Sequence, residues 1–344
     1  MENYNFYKNK KQDPKFEINP KMQLQKIEPG EDYFPSKELI QAVNVALMLQ
    51  KPLLITGAPG TGKSELAHHI AKIFGWEPVL DFSTRTDSVA TDLLYRYDSL
   101  AHFHKVNIEK SCELSAKEIE DSFIKYQALG QAICDSIGYN KEKMAKRRVV
   151  LIDEIDKAPR DLPNDILTVI EQMKFEVPEL KTAKDTSPTF YLKEGKKKDN
   201  AFKPVVILTS NSEKTLPEAF LRRCVFFHIV ITDEHLIEIL LGKTRILSDL
   251  KPDQATGFVK LFTKIAELAK VKEPATHELI LWVWWMQKHG FTPEDIYNFD
   301  KEAKDQKIKS RNEILLSAVS ILAKETEDWK KVTEAINERA ILNK

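Results

Sequence analysis

Leu53-Leu54-Ile55-Thr56-Gly57-Ala58-Pro59-Gly60-Thr61-Gly62-Lys63-Ser64 is the stretch on which the fold turns. Its first four residues are a short apolar run, as expected of a strand buried on both faces. The next eight match the phosphate-binding pattern G-x-x-x-x-G-K-[ST] in full. Glycines let the backbone curl until its N–H groups point at phosphate oxygens, and the helix that follows aims its positive dipole end at the same anions. Lys63 adds a charge that can reach the β- and γ-phosphates. The Ser64 hydroxyl is a hard ligand suited to Mg²⁺. Glu65 to Phe74 reads as that helix, so strand, loop and helix come in the order the motif requires.

Upstream, Leu39, Ile40, Val43, Leu47 and Met48 recur at helical spacing between Ser36 and Gln50, and Pro52 ends the helix. Downstream, strands are expected at Pro78 to Phe82, Val149 to Ile152, Val205 to Thr209 and Val225 to Ile231, with a helix over Ile166 to Met173. Residues 83–145 are mostly polar with helical stretches. Residues 175–203 mix β-type pieces with a lysine-rich loop. From Asp233 onward only helices are expected. Strands alternating with helices, then helices alone, predict a parallel α/β core followed by a smaller helical domain. The expected boundaries are a polar lead-in over 1–30, a core over 31–232 and helices over 233–344.

Three further sites extend the phosphate loop. Val149-Val150-Leu151-Ile152 ends in Asp153-Glu154, an apolar strand carrying paired carboxylates (the Walker B arrangement). Asp153 is placed to hold Mg²⁺ and Glu154 to polarise an attacking water. Asn211 follows the strand 205–209, where an amide would sit between the γ-phosphate and that water. Arg222-Arg223 closes Leu216-Pro217-Glu218-Ala219-Phe220-Leu221. One of the two, with Arg223 preferred, is expected to reach a neighbour's γ-phosphate.

Composition bounds the rest. The 344 residues are 42% hydrophobic and 30% charged, with 52 basic against 52 acidic side chains. That is an ordinary globular composition with no global positive field, which argues against a dedicated nucleic-acid binder. Cys112, Cys134 and Cys224 lie far apart, without metal-ligand or scaffold spacing. They read as reduced thiols, and the expected location is the cytoplasm. Met1 to Gln25 lacks the apolar segment of a signal peptide, and no run is long enough to span a membrane.

With these motifs in place, the chain resembles MoxR-like AAA+ ATPases, of the clade with a helix-2 insert and a hairpin before sensor 1. The resemblance runs from about Tyr33 to about Lys331. It rests on Ala42-Val43-Asn44-Val45-Ala46-Leu47, the P-loop, Asp92-Leu93-Leu94-Tyr95-Arg96-Tyr97-Asp98 and Asp153-Glu154-Ile155-Asp156-Lys157-Ala158-Pro159. Thr209-Ser210-Asn211-Ser212-Glu213-Lys214 and Leu216 to Arg223 complete it. It implies an αβα P-loop core with a helical lid, a hexameric ring with ATP and Mg²⁺ between subunits, Asn211 as sensor 1, and Arg222 or Arg223 as the arginine finger. It also implies chaperone-like remodelling of a client protein, often with a von Willebrand factor A domain partner. One departure stands out. The lid helix where relatives carry a sensor 2 arginine starts Glu273-Pro274-Ala275-Thr276-His277-Glu278, without one.

Weaker features read blandly. Trp282, Trp284 and Trp285 cannot all face one way on a helix and suit lid core plus partial packing. Lys196-Lys197-Lys198 reads as a solvated loop or a basic pore ring. His102 and His104 have no ligand partners at metal spacing. Two rival functions remain open. One is a DNA-acting or GTP-preferring motor of restriction type, since a P-loop reads phosphates and not bases. The other is an ATP-gated assembly scaffold with little turnover.

Overall fold

A computed structural model describes residues 28–109, 115–180, 188–192, 202–297 and 306–337. Lys196 to Lys198, Cys112 and Met1 to Gln25 lie outside them. The chain forms two compact units, one of Pro29–Val230 and one that begins at Ile231.

The first unit opens with α1 (Lys37–Leu49), whose N-cap Ser36 accepts the Leu39 N–H at 3.2 Å. Then come β1 (Leu53–Gly57), α2 (Lys63–Phe74) and β2 (Leu80–Ser83). β3 (Tyr95–Tyr97), α3 (Ser99–Glu109), α4 (Ala116–Phe123) and β4 (Ile124–Tyr126) form an excursion before α5 (Ala128–Ser136) and β5 (Val149–Asp153). α6 (Leu162–Gln172) leads to β6 (Lys174–Glu176) and β7 (Thr189–Tyr191). β8 (Val205–Ser210), α7 (Glu218–Leu221) and β9 (Val225–Ile229) complete the unit.

Five strands make one parallel sheet in the order β2-β5-β8-β1-β9. The apolar runs sit at its centre. Every residue of β1 is buried, as are Val149–Ile152 of β5 and Val206–Ser210 of β8. The edge strands β2 and β9 alternate instead. Each fully buried Leu, Ile or Val contributes about 1.5–3 kcal/mol, so the three central strands dominate the core's stability. The sheet thereby carries the ends of β1, β5 and β8 side by side, which is where the expected site residues lie.

Two small antiparallel ladders flank this sheet. β3 pairs with β4, and β6 with β7. Phe175 stacks on Phe190 within the second ladder at 5.0 Å, and the two ladders meet where Tyr126 contacts Phe190 edge-on at 5.6 Å and Tyr95 lies over Phe175 at 6.5 Å. α5 is tied to the start of β5 by Arg148 and Asp135, 2.7 Å apart and largely buried.

Several boundaries differ from the sequence expectation, among them the start of β2 at Leu80 rather than Pro78. The helix expected from Ile166 begins at Leu162, with Pro163 in its first turn, where proline's missing N–H costs nothing. It ends at Gln172, and Met173 is left-handed at φ +44°. The last strand stops at Ile229 rather than Ile231.

The second unit is helical among its described residues: α8 (Asp233–Gly242), α9 (Pro252–Leu268), α10 (Thr276–Lys288), α11 (Pro293–Tyr297), α12 (Gln306–Ser317), α13 (Val319–Leu322) and α14 (Thr326–Asn337). Trp282 is buried in its core, edge-on to Phe258, while Trp284 and Trp285 pack against that core half-buried. Buried Asp328 accepts the N–H groups of Val271 and Lys272 at 3.1 and 2.9 Å, fixing the turn after α9. Among the described residues no helix is long and apolar enough to cross a membrane.

Candidate active site

The loop Gly57–Ser64 runs from the end of β1 into α2. Gly62 is left-handed at φ +83° and starts the helix at Lys63, so the free N–H groups of the first turn border the loop. Lys63 is 7% exposed, and its Nζ donates to the carbonyls of Gly57 and Ala58, both at 2.9 Å. Burial lowers the pKa of this ammonium, while Asp153, Asp156 and Glu154 pull it back up. A charge held this way, among backbone dipoles and three carboxylates, is ready for a polyanion. Thr61 Oγ1 donates to the Ala58 carbonyl at 2.9 Å and closes the loop on itself.

β5 and β8 bring the second half of the site alongside. Ser64 Oγ donates to Asp153 Oδ1 at 2.8 Å, across a gap of 89 residues. A hydroxyl and a carboxylate in contact are hard oxygen donors that fit Mg²⁺. Among the described residues no cluster of three His, Cys, Asp or Glu side chains could hold a metal alone.

Glu154 sits just past the strand at φ +56°, a left-handed conformation that L residues adopt at a cost. The surrounding contacts hold it there. Its N–H donates to Thr209 Oγ1 at 2.9 Å, and its carboxylate is shared between two donors. Lys157 Nζ reaches Oε2 at 2.7 Å, and Asn211 Nδ2 reaches Oε1 at 3.4 Å. The fold thus brings together Gly57 to Ser64, Asp153, Glu154 and Asn211.

It does not bring Arg222 and Arg223 to that group. Arg222 pairs with Glu218 at the end of α7, and Arg223 Nε lies 3.1 Å from Glu171 Oε1 on α6. Both arginine side chains are exposed.

Four contributors escaped the sequence reading. Thr209 Oγ1 donates to Asp153 Oδ1 while accepting the Glu154 N–H, so one hydroxyl sets both acids. It stands two residues before Asn211, and the period-2 rule for strands could have put both on one face. Asp156 and Lys157 follow the paired acids directly, but nothing in their order announces what they touch. Tyr33 is the fourth. Gly30 N–H donates to Glu65 Oε2 at 2.7 Å and Lys72 pairs with Glu31 at 2.6 Å, strapping residues 30–33 onto α2. The strap lays the Tyr33 ring beside Gly62 and His69. Burial raises the Tyr33 pKa, so it stays a neutral phenol.

Comparison with known proteins gives the family. The family model of the AAA domain, dynein-related subfamily, matches residues 52–224, half of the chain. No curated protein matches. Two solved structures are similar. One is a candidate ATPase from Cytophaga hutchinsonii, with 15% identity, coverage of 88% of this chain and 81% of that one, and a TM-score of 0.36. The other is PCH-2 of C. elegans, with 16% identity, coverage of 84% and 70%, and a TM-score of 0.38. The matched span holds the P-loop, both acids, Asn211 and both arginines, and the chain belongs to the dynein-related subfamily of AAA domains and is a P-loop ATPase.

Proposed function

We propose that the chain hydrolyses ATP with Mg²⁺ at sites shared between the subunits of a ring, and that the cycle remodels a client protein. The observation that carries the reading is that Asp153 meets Ser64 of the P-loop while Asn211 meets Glu154, the next residue along. Lys63 exchanges the two carbonyls it now holds for β- and γ-phosphate oxygens, and the N–H groups at the start of α2 cradle the same anions. Ser64 and Asp153 would hold Mg²⁺, which when bound would supply neutralisation of charge on those oxygens. Glu154 takes the proton of the attacking water as its oxygen bonds to the γ-phosphorus and the bond to the ADP oxygen breaks. The Asn211 amide orients that water. Lys157 pairs with Glu154 at 2.7 Å, and a half-exposed pair of this kind is worth about 0–1 kcal/mol, so Glu154 leaves it readily to act as a base.

Arg222 or Arg223 serves the neighbouring subunit's site. The support is that both are exposed and, among the described residues, pair with surface acids of their own chain, pairs worth about 0–1 kcal/mol that are cheaply broken. The remodelling role rests on the MoxR-like resemblance. The same reading puts the protein in the cytoplasm, where widely spaced thiols stay reduced.

A second reading, an assembly scaffold with little turnover, has two observations in its favour. Glu154 is engaged by Lys157, and α10 opens without an arginine. One experiment separates the two. Phosphate release and binding of a fluorescent ADP analogue are measured for the wild type and Glu154→Gln, with and without Mg²⁺. The expected result is unchanged binding and turnover lowered at least about 10²-fold. Equal turnover in both proteins would refute the role of Glu154. Negligible wild-type turnover at every concentration would favour the scaffold.

A further inference from the structure

Asp156 carries no catalytic step, yet it is 2% exposed and built into the turn that carries Glu154. Its Oδ2 accepts two backbone N–H groups from the far side of the sheet sequence, Asn211 at 3.1 Å and Glu213 at 2.9 Å. Between them Ser212 is left-handed at φ +62°, and its N–H goes to Ser210 Oγ at 2.9 Å. Three consecutive N–H groups after β8 therefore hang on side chains. No strand or helix ladder sets the course of this loop; one carboxylate and one hydroxyl do.

The other oxygen, Oδ1, is buried and has no partner among the described residues. Leaving a buried carboxylate oxygen unsatisfied costs free energy, and such a group calls for an explanation. An apolar side chain would avoid that cost but orphan two N–H groups. The arrangement makes sense if what it secures is the position of the loop. Asn211 Nδ2 lies 3.4 Å from Glu154 Oε1, near the outer limit of a hydrogen bond. A small drift of the loop would part the two side chains.

We propose that Asp156 is a positioning residue that anchors the Asn211 loop to the Glu154 turn, so that amide and carboxylate are assembled before nucleotide arrives. The inference rests on the roles proposed for Asn211 and Glu154. Misplacement of a catalytic group by about 1 Å costs roughly 10²-fold in rate, so the anchor acts on turnover and not on affinity. A purely structural carboxylate also exists in this chain. Asp328 holds the N–H groups of Val271 and Lys272 in the helical unit, where no catalytic group is nearby in sequence. The test must therefore read more than stability.

The test is a double-mutant cycle on the full chain, with kcat and KM from phosphate release and affinity from a fluorescent ADP analogue. Asp156→Ala is expected to lower kcat about 10²-fold, with KM and affinity within about twofold. Asp156→Asn recovers most of that loss, because an amide oxygen accepts the same two N–H groups. Asp156→Ala combined with Asn211→Ala is expected to be no slower than Asn211→Ala alone. If Asp156→Ala does not fold, Asp156→Ser replaces it in the cycle: it keeps a polar atom in place but falls one bond short of the loop. A combined loss equal to the product of the single losses overturns the inference while leaving the role of Asn211 intact. A loss of affinity with unchanged kcat overturns it too. If Asn211→Ala alone leaves kcat unchanged, the proposed role of Asn211 fails, and the inference falls with it.

Discussion

Gly62 shows how much one residue of the phosphate loop carries. Its φ is +83°, and a Cβ placed on it would lie 2.9 Å from Tyr33 Cε2. An alanine there meets two separate obstacles. The left-handed backbone costs about 1–2 kcal/mol, and the ring must also move. The first cost is paid whenever the loop adopts its binding shape, and 1.4 kcal/mol is a decade, so Gly62→Ala is expected to weaken ADP binding by more than about tenfold once the ring is added. Removing the ring with Tyr33→Ala in the same chain restores space but not φ, so affinity recovers only in part. Calorimetric titration with ADP measures both, and full recovery in the double variant would mean that the ring was the whole obstacle. The loop itself was readable because each of its residues has a reason to be there. Tyr33 was not, since it arrives through Gly30, Glu65 and the Glu31–Lys72 pair, contacts that no local pattern encodes.

At the scale of elements, α5 offers a contest between helix propensity and packing. Gly130 lies inside this helix, where alanine is intrinsically better by about 1 kcal/mol. A Cβ at Gly130, however, would stand 1.9 Å from the Leu94 carbonyl oxygen, which is backbone and cannot rotate away. Overpacking of this kind costs about 3 kcal/mol. The net expectation for Gly130→Ala is a loss of about 2 kcal/mol, read from urea unfolding, and a gain would show that the Leu94 segment shifts freely. The same contrast explains which elements the sequence disclosed. β1, β5 and β8 are buried on both faces, so they read as unbroken apolar runs. β3 and β4 are three residues each and exist because Tyr95 finds Tyr126 across α3 and α4. Three residues have no measurable period, so that stretch looked polar and helical. Leu162 to Asp165 open α6 ahead of its expected start, with Pro163 in the first turn, where proline is a helix signal.

At the scale of the whole molecule the open question is whether one chain contains a complete site. Asp153, Glu154 and Asn211 meet the P-loop within a single chain, whereas Arg222 and Arg223 face solvent beside Glu218 and Glu171. Val45, Met48 and Leu49 also leave apolar side chains exposed on one face of α1, which fits a surface covered by another copy. If the proposed finger acts across a subunit boundary, two different inactive variants should rescue each other. Glu154→Gln subunits lack the base but keep the arginine; Arg223→Ala subunits keep the base and lack the arginine. In a head-to-tail ring mixed at equal amounts, about a quarter of the boundaries pair an intact base with an intact finger. Turnover near a quarter of the wild-type value is then expected from a mixture whose parts are each inactive. Subunit exchange is checked by mass on size-tagged chains. Rescue with Arg222→Ala in place of Arg223→Ala would move the finger by one residue. No rescue with either variant, in rings shown to have exchanged, would mean that each chain completes its own site and that the two arginines serve the surface they occupy.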